Sequence, residues 1–200
     1  MGQVGSKERP NIEVPSIFRP AARKSVESSF PGLVKRRWSI KSPYDDDYKC
    51  IAWAACCTSK HWWPSPAAYW PPGVPLEETI DAFVQAFSIL GYKPCDKPDF
   101  EFGFQKVAIY AGGDGIVRHM ARQQFFGRGW LSKLGNMEDI LHPDLYSIEG
   151  DPSPGSYEYG EVKQILKRRW WAIICRSCIV NCPKNALKFW LYRIVHNYAD

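Results

Sequence analysis

An α+β domain, with two main helices packed on a small antiparallel sheet, is the fold the sequence predicts, and three observations predict it. Apolar residues Ile80, Phe83, Val84, Phe87 and Leu90 recur at helical spacing between Pro75 and Gly91. From Lys106 the pattern switches to alternation. Glycine turns at Gly112-Gly113-Asp114-Gly115 and Gly127-Arg128-Gly129 then separate successive alternating segments. A chain of 200 residues is long enough to bury one such core and carry tails.

Taken in order, residues 1–29 read as a flexible basic tail, rich in Gly, Pro, Ser and alternating charge. The domain is expected over 30–168, entering through Phe30-Pro31-Gly32. Lys35-Arg36-Arg37 beside Trp38 is a basic edge that suits phosphate contact with stacking, or a solvated face. Asp45-Asp46-Asp47 is placed to cap a first helix running from Cys50 to about Ser59, apolar nearly all round and therefore buried. A proline-stiffened aromatic loop follows, carrying Trp62, Trp63 and Trp70. The second helix starts at Pro75, with Glu77 and Glu78 in its first turn. Strands are expected at 106–110, 116–123 and 130–134, short helical turns at 136–140 and 143–148, and a closing strand from Tyr159 to Lys167.

Residues 169–200 form a Cys-rich and amphipathic extension. Cys175, Cys178 and Cys182-Pro183 resemble the back half of a bacterial ferredoxin cluster motif, but Ala172 stands where the remaining thiol belongs. A metal there needs a fourth ligand from Cys56, Cys57 or Cys95, so no cofactor is expected. The seven cysteines form no even framework, which favours reduced thiols and a cytoplasmic setting.

A formal charge of +5 is too mild for a dedicated nucleic-acid binder, which leaves nucleic acid a weak candidate partner. No run approaches the length of a membrane span. The start Met1-Gly2-Gln3-Val4-Gly5-Ser6 fits the N-myristoylation pattern at Gly2, so peripheral membrane contact through the N-terminus is a candidate.

The chemistry-bearing pattern is a cysteine opening a helix. The positive end of a helix dipole favours thiolate, the nucleophilic form. A cysteine hydrolase also needs an imidazole and a group that orients it. On its strand, His119 alternates with Val117 and Ala121 and so is expected on the face that receives the first helix. The expectation is a Cys50 nucleophile, a His119 general base and acid, and Ser132 as the orienting group, with Asn136 or Asp139 in reserve. Trp62, Trp63 and Trp70 would wall a cleft for a peptide or protein substrate, and Gln123 would line it or supply an oxyanion donor.

This order of elements resembles the layout of papain-like cysteine hydrolases, a half-fold in which a helix-opening Cys meets a His on an antiparallel sheet. The resemblance implies a hydrolase or acyl-transfer enzyme acting on peptide or amide bonds; the alternative is a non-catalytic binding module. On the register of cell-wall peptidases of the NlpC type, Lys106 before Val107-Ala108-Ile109-Tyr110 takes the base position instead. Over about 30–168 the chain also resembles a family of small, mostly bacterial proteins of unknown function. The landmarks are Cys50-Ile51-Ala52-Trp53-Ala54-Ala55, Tyr69-Trp70-Pro71-Pro72-Gly73-Val74-Pro75, Lys106-Val107-Ala108-Ile109-Tyr110, His119 with Ala121-Arg122-Gln123, and Ser132-Lys133-Leu134-Gly135. That resemblance implies no activity.

Overall fold

The computed structural model describes residues 19–42, 45–58, 60–124, 129–150 and 159–169. Gly2 and the cysteines at 175, 178 and 182 lie outside them. The architecture is mixed α+β, and the sheet dominates it. Seven strands run β1 (Ser39–Ile40), β2 (Lys93–Cys95), β3 (Phe104–Ala111), β4 (Val117–Gln123), β5 (Trp130–Lys133), β6 (Asp139–His142) and β7 (Glu161–Arg169). Their spatial order is β1-β6-β5-β4-β3-β7-β2, with every pairing antiparallel. The expectation of two helices on a small sheet is corrected accordingly: the helices are short and the sheet is the larger part.

Helices cover both faces. On one lie α2 (Cys50–Ala54) and α3 (Ile80–Ser88), packed with the aromatic loop over Val107, Ile109, Val117, Met120, Leu131 and Leu166. On the other, α1 (Arg19–Ser29) and two 3-10 turns (Pro31–Leu33 and Leu145–Ile148) bury Val26, Phe30 and Leu33 against Ala108, Tyr110, Ala121 and Ile140. Residues 19–29, expected as tail, thus form a helix, because Val26 and Phe30 find a core that alternating charge conceals in the sequence. Of the helical turn expected at 136–140, residues 139 and 140 instead begin β6, held in register between β5 and β1, while 136 and 137 stay in the turn before it. Thr79, whose side chain accepts from the Ala82 N–H, sets the start of α3 five residues later than Pro75 does in the sequence reading. Asp45, Asp46 and Asp47 do not cap α2. Its N-cap is Lys49, with no side-chain cap bond, and the Asp45 carboxylate instead accepts from the Asp47 N–H at 3.0 Å.

Two local irregularities position the site. In the β3–β4 pair Tyr110 faces His119 and Ala111 faces Val117, so Arg118 is an extra residue. This bulge places Val117 and His119 on opposite faces of the sheet. The second is Gly160, at φ 72, beside the Ala111 carbonyl. A Cβ at Gly160 would collide with that backbone, which cannot swing away as a side chain can. Gly160→Ala is expected to destabilise the fold by about 2 kcal/mol, from left-handed strain together with overpacking. Urea unfolding checks this, and an unchanged midpoint would refute it.

Candidate functional site

Of the expected constellation, the structure brings together only His119 and Ser132. The Nε2 of His119 lies 3.0 Å from Ser132 Oγ, and His142 Nε2 lies 2.9 Å from the same oxygen. His142 Nδ1 donates to the Asp144 carbonyl at 2.7 Å, which leaves its Nε2 an acceptor. The Ser132 hydroxyl therefore donates to His142 and accepts from His119. His119 then carries its proton on Nε2, with Nδ1 buried and without a partner among the described residues, and its ring stacks on Tyr159 at 3.9 Å. Burial pushes the His119 pKa well below its ordinary value, with His142 repelling a second charge. For His142, burial lowers the pKa to about 4, against the opposing pull of Asp144. Two neutral imidazoles bridged by a hydroxyl hold the sheet and the 3-10 turn together. They meet no solvent.

Cys50 lies on the other face. Its neighbours in the core include Met120, whereas His119 rings against Tyr110 and Tyr159. The Arg118 bulge is the reason, since it breaks the alternation by which Val117 and His119 were expected to share a face. Cys50 is buried, and burial raises its thiol to about 11 against smaller opposing pulls from the Met120 and Ile51 backbones. Five residues of helix give little dipole to counter that. Lys106, the rival base, also faces away from α2; its ammonium donates to the Lys97 and Asp99 carbonyls at 2.9 and 2.6 Å.

The remaining residues have structural placements. Asn136 is exposed in the β5–β6 turn, and Asp139 accepts from Tyr48 on the α2 face, so neither orients His119. Trp62 is buried against Tyr69 and Phe87. Trp70 packs edge-on to Phe83 and donates to the Pro75 carbonyl, while half-buried Trp63 donates to Glu78. The loop packs onto α3 through Trp63 and Trp70, both against Phe83. Gln123 is buried on the His119 side of the sheet and donates to the Pro98 carbonyl at 2.7 Å.

A different cysteine gathers charge. Helix α2 ends at Ala54 in a Schellman arrangement: the Cys57 N–H bonds Ala52 O and the Cys56 N–H bonds Trp53 O. The left-handed residue of that motif is usually glycine. Here it is Cys56, at φ 60, which among the described residues is the one non-glycine with positive φ. This conformation carries its side chain over three adjacent central strands. Arg122 on β4 brings Nη1 to 2.9 Å from the Cys56 sulfur and also donates to Trp53 O. Arg168 on β7 brings Nη2 to 3.4 Å from that sulfur and 3.1 Å from Gln105 Oε1 on β3, with its Nη1 on Leu90 O. The guanidinium of Arg122 lies over Trp53 at 4.3 Å, and that of Arg168 over Tyr92 at 4.4 Å. The Tyr92 hydroxyl donates to Gln105 Oε1.

Charge bookkeeping makes this cluster unusual. Arg168 is 1% exposed, and a guanidinium does not shed its proton in a protein. Among the described residues its hydrogen-bond partners are a carbonyl, an amide oxygen and the Cys56 sulfur, with no carboxylate. A buried cation without a counter-ion costs several kcal/mol. The Cys56 sulfur is the group in that contact set that can become an anion. Burial is the largest single influence on Cys56 and raises its pKa, but Arg122 and Arg168 together overcome it, and the net shift is downward. Cys56 is itself partly exposed, unlike Cys50 and Cys57.

The fold and this clamp define a small α+β domain built around an arginine-held thiol. The chain belongs to the family described as a domain of unknown function, DUF7689, whose model matches residues 39–167. No curated protein and no solved structure matches it. Among the described residues, no helix is long and apolar enough to cross a membrane.

Proposed function

We propose that this domain is a thiol-dependent protein whose reactive group is the Cys56 thiolate. The observation that carries the proposal is the buried Arg168 guanidinium, whose partners among the described residues include that sulfur and no carboxylate. A thiolate is the nucleophilic form of cysteine, and two cations beside it are the usual means of populating it near neutral pH. Cysteine-dependent chemistry thus remains the reading, with the nucleophile moved from the buried end of α2 to its strained C-terminal cap. The papain-like mechanism is not carried over with it. An amine leaving group needs a proton donor, and arginine does not provide one.

Alkylation by iodoacetamide, mapped by peptide mass spectrometry between pH 6 and pH 10, tests this. Cys56 is expected to label in the folded protein with a rate midpoint below 9.0, the ordinary thiol value. Arg122→Gln, which removes the more exposed of the two guanidiniums, is expected to move that midpoint upward. A Cys56 that labels only after denaturation, or with a midpoint at or above the ordinary value, would overturn the proposal.

A further inference from the structure

We infer that the Cys56 clamp is a site for small hydroperoxides, which convert the thiolate to a sulfenate held by Arg122 and Arg168. This deepens the thiol-dependent reading above and rests on it. Three features of the site select the substrate class.

The first is the donor set. The two guanidiniums converge on the sulfur at 2.9 and 3.4 Å. Among the described residues the Arg168 Nε–H has no acceptor, in a side chain almost wholly buried. A buried unpaired donor costs about 1–3 kcal/mol. A sulfenate oxygen added at the sulfur brings an anionic acceptor to the two guanidiniums that already meet there. The second is size. The buried rings of Trp53 and Tyr92 pack against the two guanidiniums and Cys56 is only partly exposed, which favours a substrate of few atoms over an extended chain. The third is the acid–base inventory. Gln105 Oε1 is fixed toward Arg168 Nη2 and the Tyr92 hydroxyl, and burial holds Tyr92 neutral, so the clamp contains fixed positive charge and no proton relay. Such a site stabilises negative charge that develops on oxygen. It does little for a leaving group that must be protonated as it departs.

The reaction balances without any group the site lacks. The thiolate attacks one peroxide oxygen, an S–O bond forms and the O–O bond breaks. Sulfur loses two electrons and the peroxide gains them. The leaving hydroxide or alkoxide takes the proton of the transferred oxygen, giving water or alcohol and leaving the sulfenate anion between the two arginines. Return to the thiol uses two equivalents of a small thiol. The first displaces hydroxide to form a mixed disulfide, and the second releases Cys56 by exchange.

The test uses the full chain with hydrogen peroxide at pH 7, dimedone to trap sulfenic acid, and mass-spectrometric mapping of each cysteine. Cys95 serves as internal reference, because it is partly exposed and burial shifts its thiol upward. Dimedone adduct is expected at Cys56 about tenfold faster than at Cys95 or better. Arg122→Gln is expected to slow it about tenfold. If iodoacetamide labels Cys56 but peroxide yields no adduct there, or no more than at Cys95, the peroxide inference falls and the nucleophile stands. If Cys56 reacts with neither reagent, both fall. The wild-type comparison decides the matter even if the arginine variant does not fold.

Discussion

Acidification from pH 7 to pH 4.5 is expected to cost the domain about 2.5 kcal/mol of stability from His142 alone, with a further loss from His119. Both imidazoles are buried neutral, so their folded pKa values lie below the unfolded 6.5. Protonation therefore favours the unfolded chain. The stabilisation is complete above pH 6.5 and is lost as pH falls from there toward the folded pKa, about 4 for His142. Below about pH 4.5 the shifted carboxylates of Glu101, Glu161 and Asp114 begin to titrate. Above it Cys56, whose folded thiol pKa is lowered, adds its own loss as pH falls, and the histidine variants isolate the imidazole part. Urea midpoints at pH 7.5, 5.5 and 4.5 measure the loss. Gln at either position keeps the polar atom that meets Ser132 Oγ and removes the titration. His119→Gln and His142→Gln are each expected to flatten part of the profile, and the double variant most of it. A midpoint independent of pH across this range would mean that the Ser132 bridge does not hold neutral imidazoles.

What the sequence disclosed and what it concealed divide along the range of the interactions involved. Strand β3, the Gly112–Gly115 turn and strand β4 are legible because alternation and turn chemistry are local signals. Helix α3 is legible for the same reason, apart from its start. The pairing of His119 with Ser132 follows from adjacent strands, and it forms. The face on which they meet does not follow. One extra residue, Arg118, reverses the alternation, and its own exposure and its ion pair with Asp114 give no hint of a bulge. Strand β6 is only four residues, Asp139–His142, too short to show alternation, and its extended form exists because β5 and β1 pair with it. The Cys56 clamp is the least legible part. Its arginines stand 66 and 112 residues downstream, and each reads as an ordinary charged position on a strand. The local clue is the helix end. A helix read through to residue 59 makes Cys56 one more buried apolar residue, whereas one ending at Ala54 puts it in the left-handed cap.

That cap makes the effect of substituting Cys56 decisive. On backbone grounds alone, Cys56→Gly should stabilise the protein by about 1 kcal/mol, because glycine relieves the left-handed strain of a Schellman cap. If the sulfur is the counter-ion of Arg168, the same change leaves a buried guanidinium unpaired, at a cost of about 3 kcal/mol or more. The second effect exceeds the first, so Cys56→Gly is expected to destabilise the domain. Cys56→Ala should be worse, since it loses the anion and keeps the strain. Cys56→Asp restores a short anion on a residue that tolerates this backbone region, and it is expected to recover much of the loss. The asymmetry has a simple origin. When an arginine is removed, the thiolate can take up a proton and become a neutral thiol. When the cysteine is removed, the guanidinium has no neutral form to fall back on. Urea unfolding at pH 7.5 under reducing conditions should therefore rank the variants Asp above Gly above Ala, all below wild type. A glycine variant more stable than wild type would show that the strain is unopposed and that the sulfur is no counter-ion.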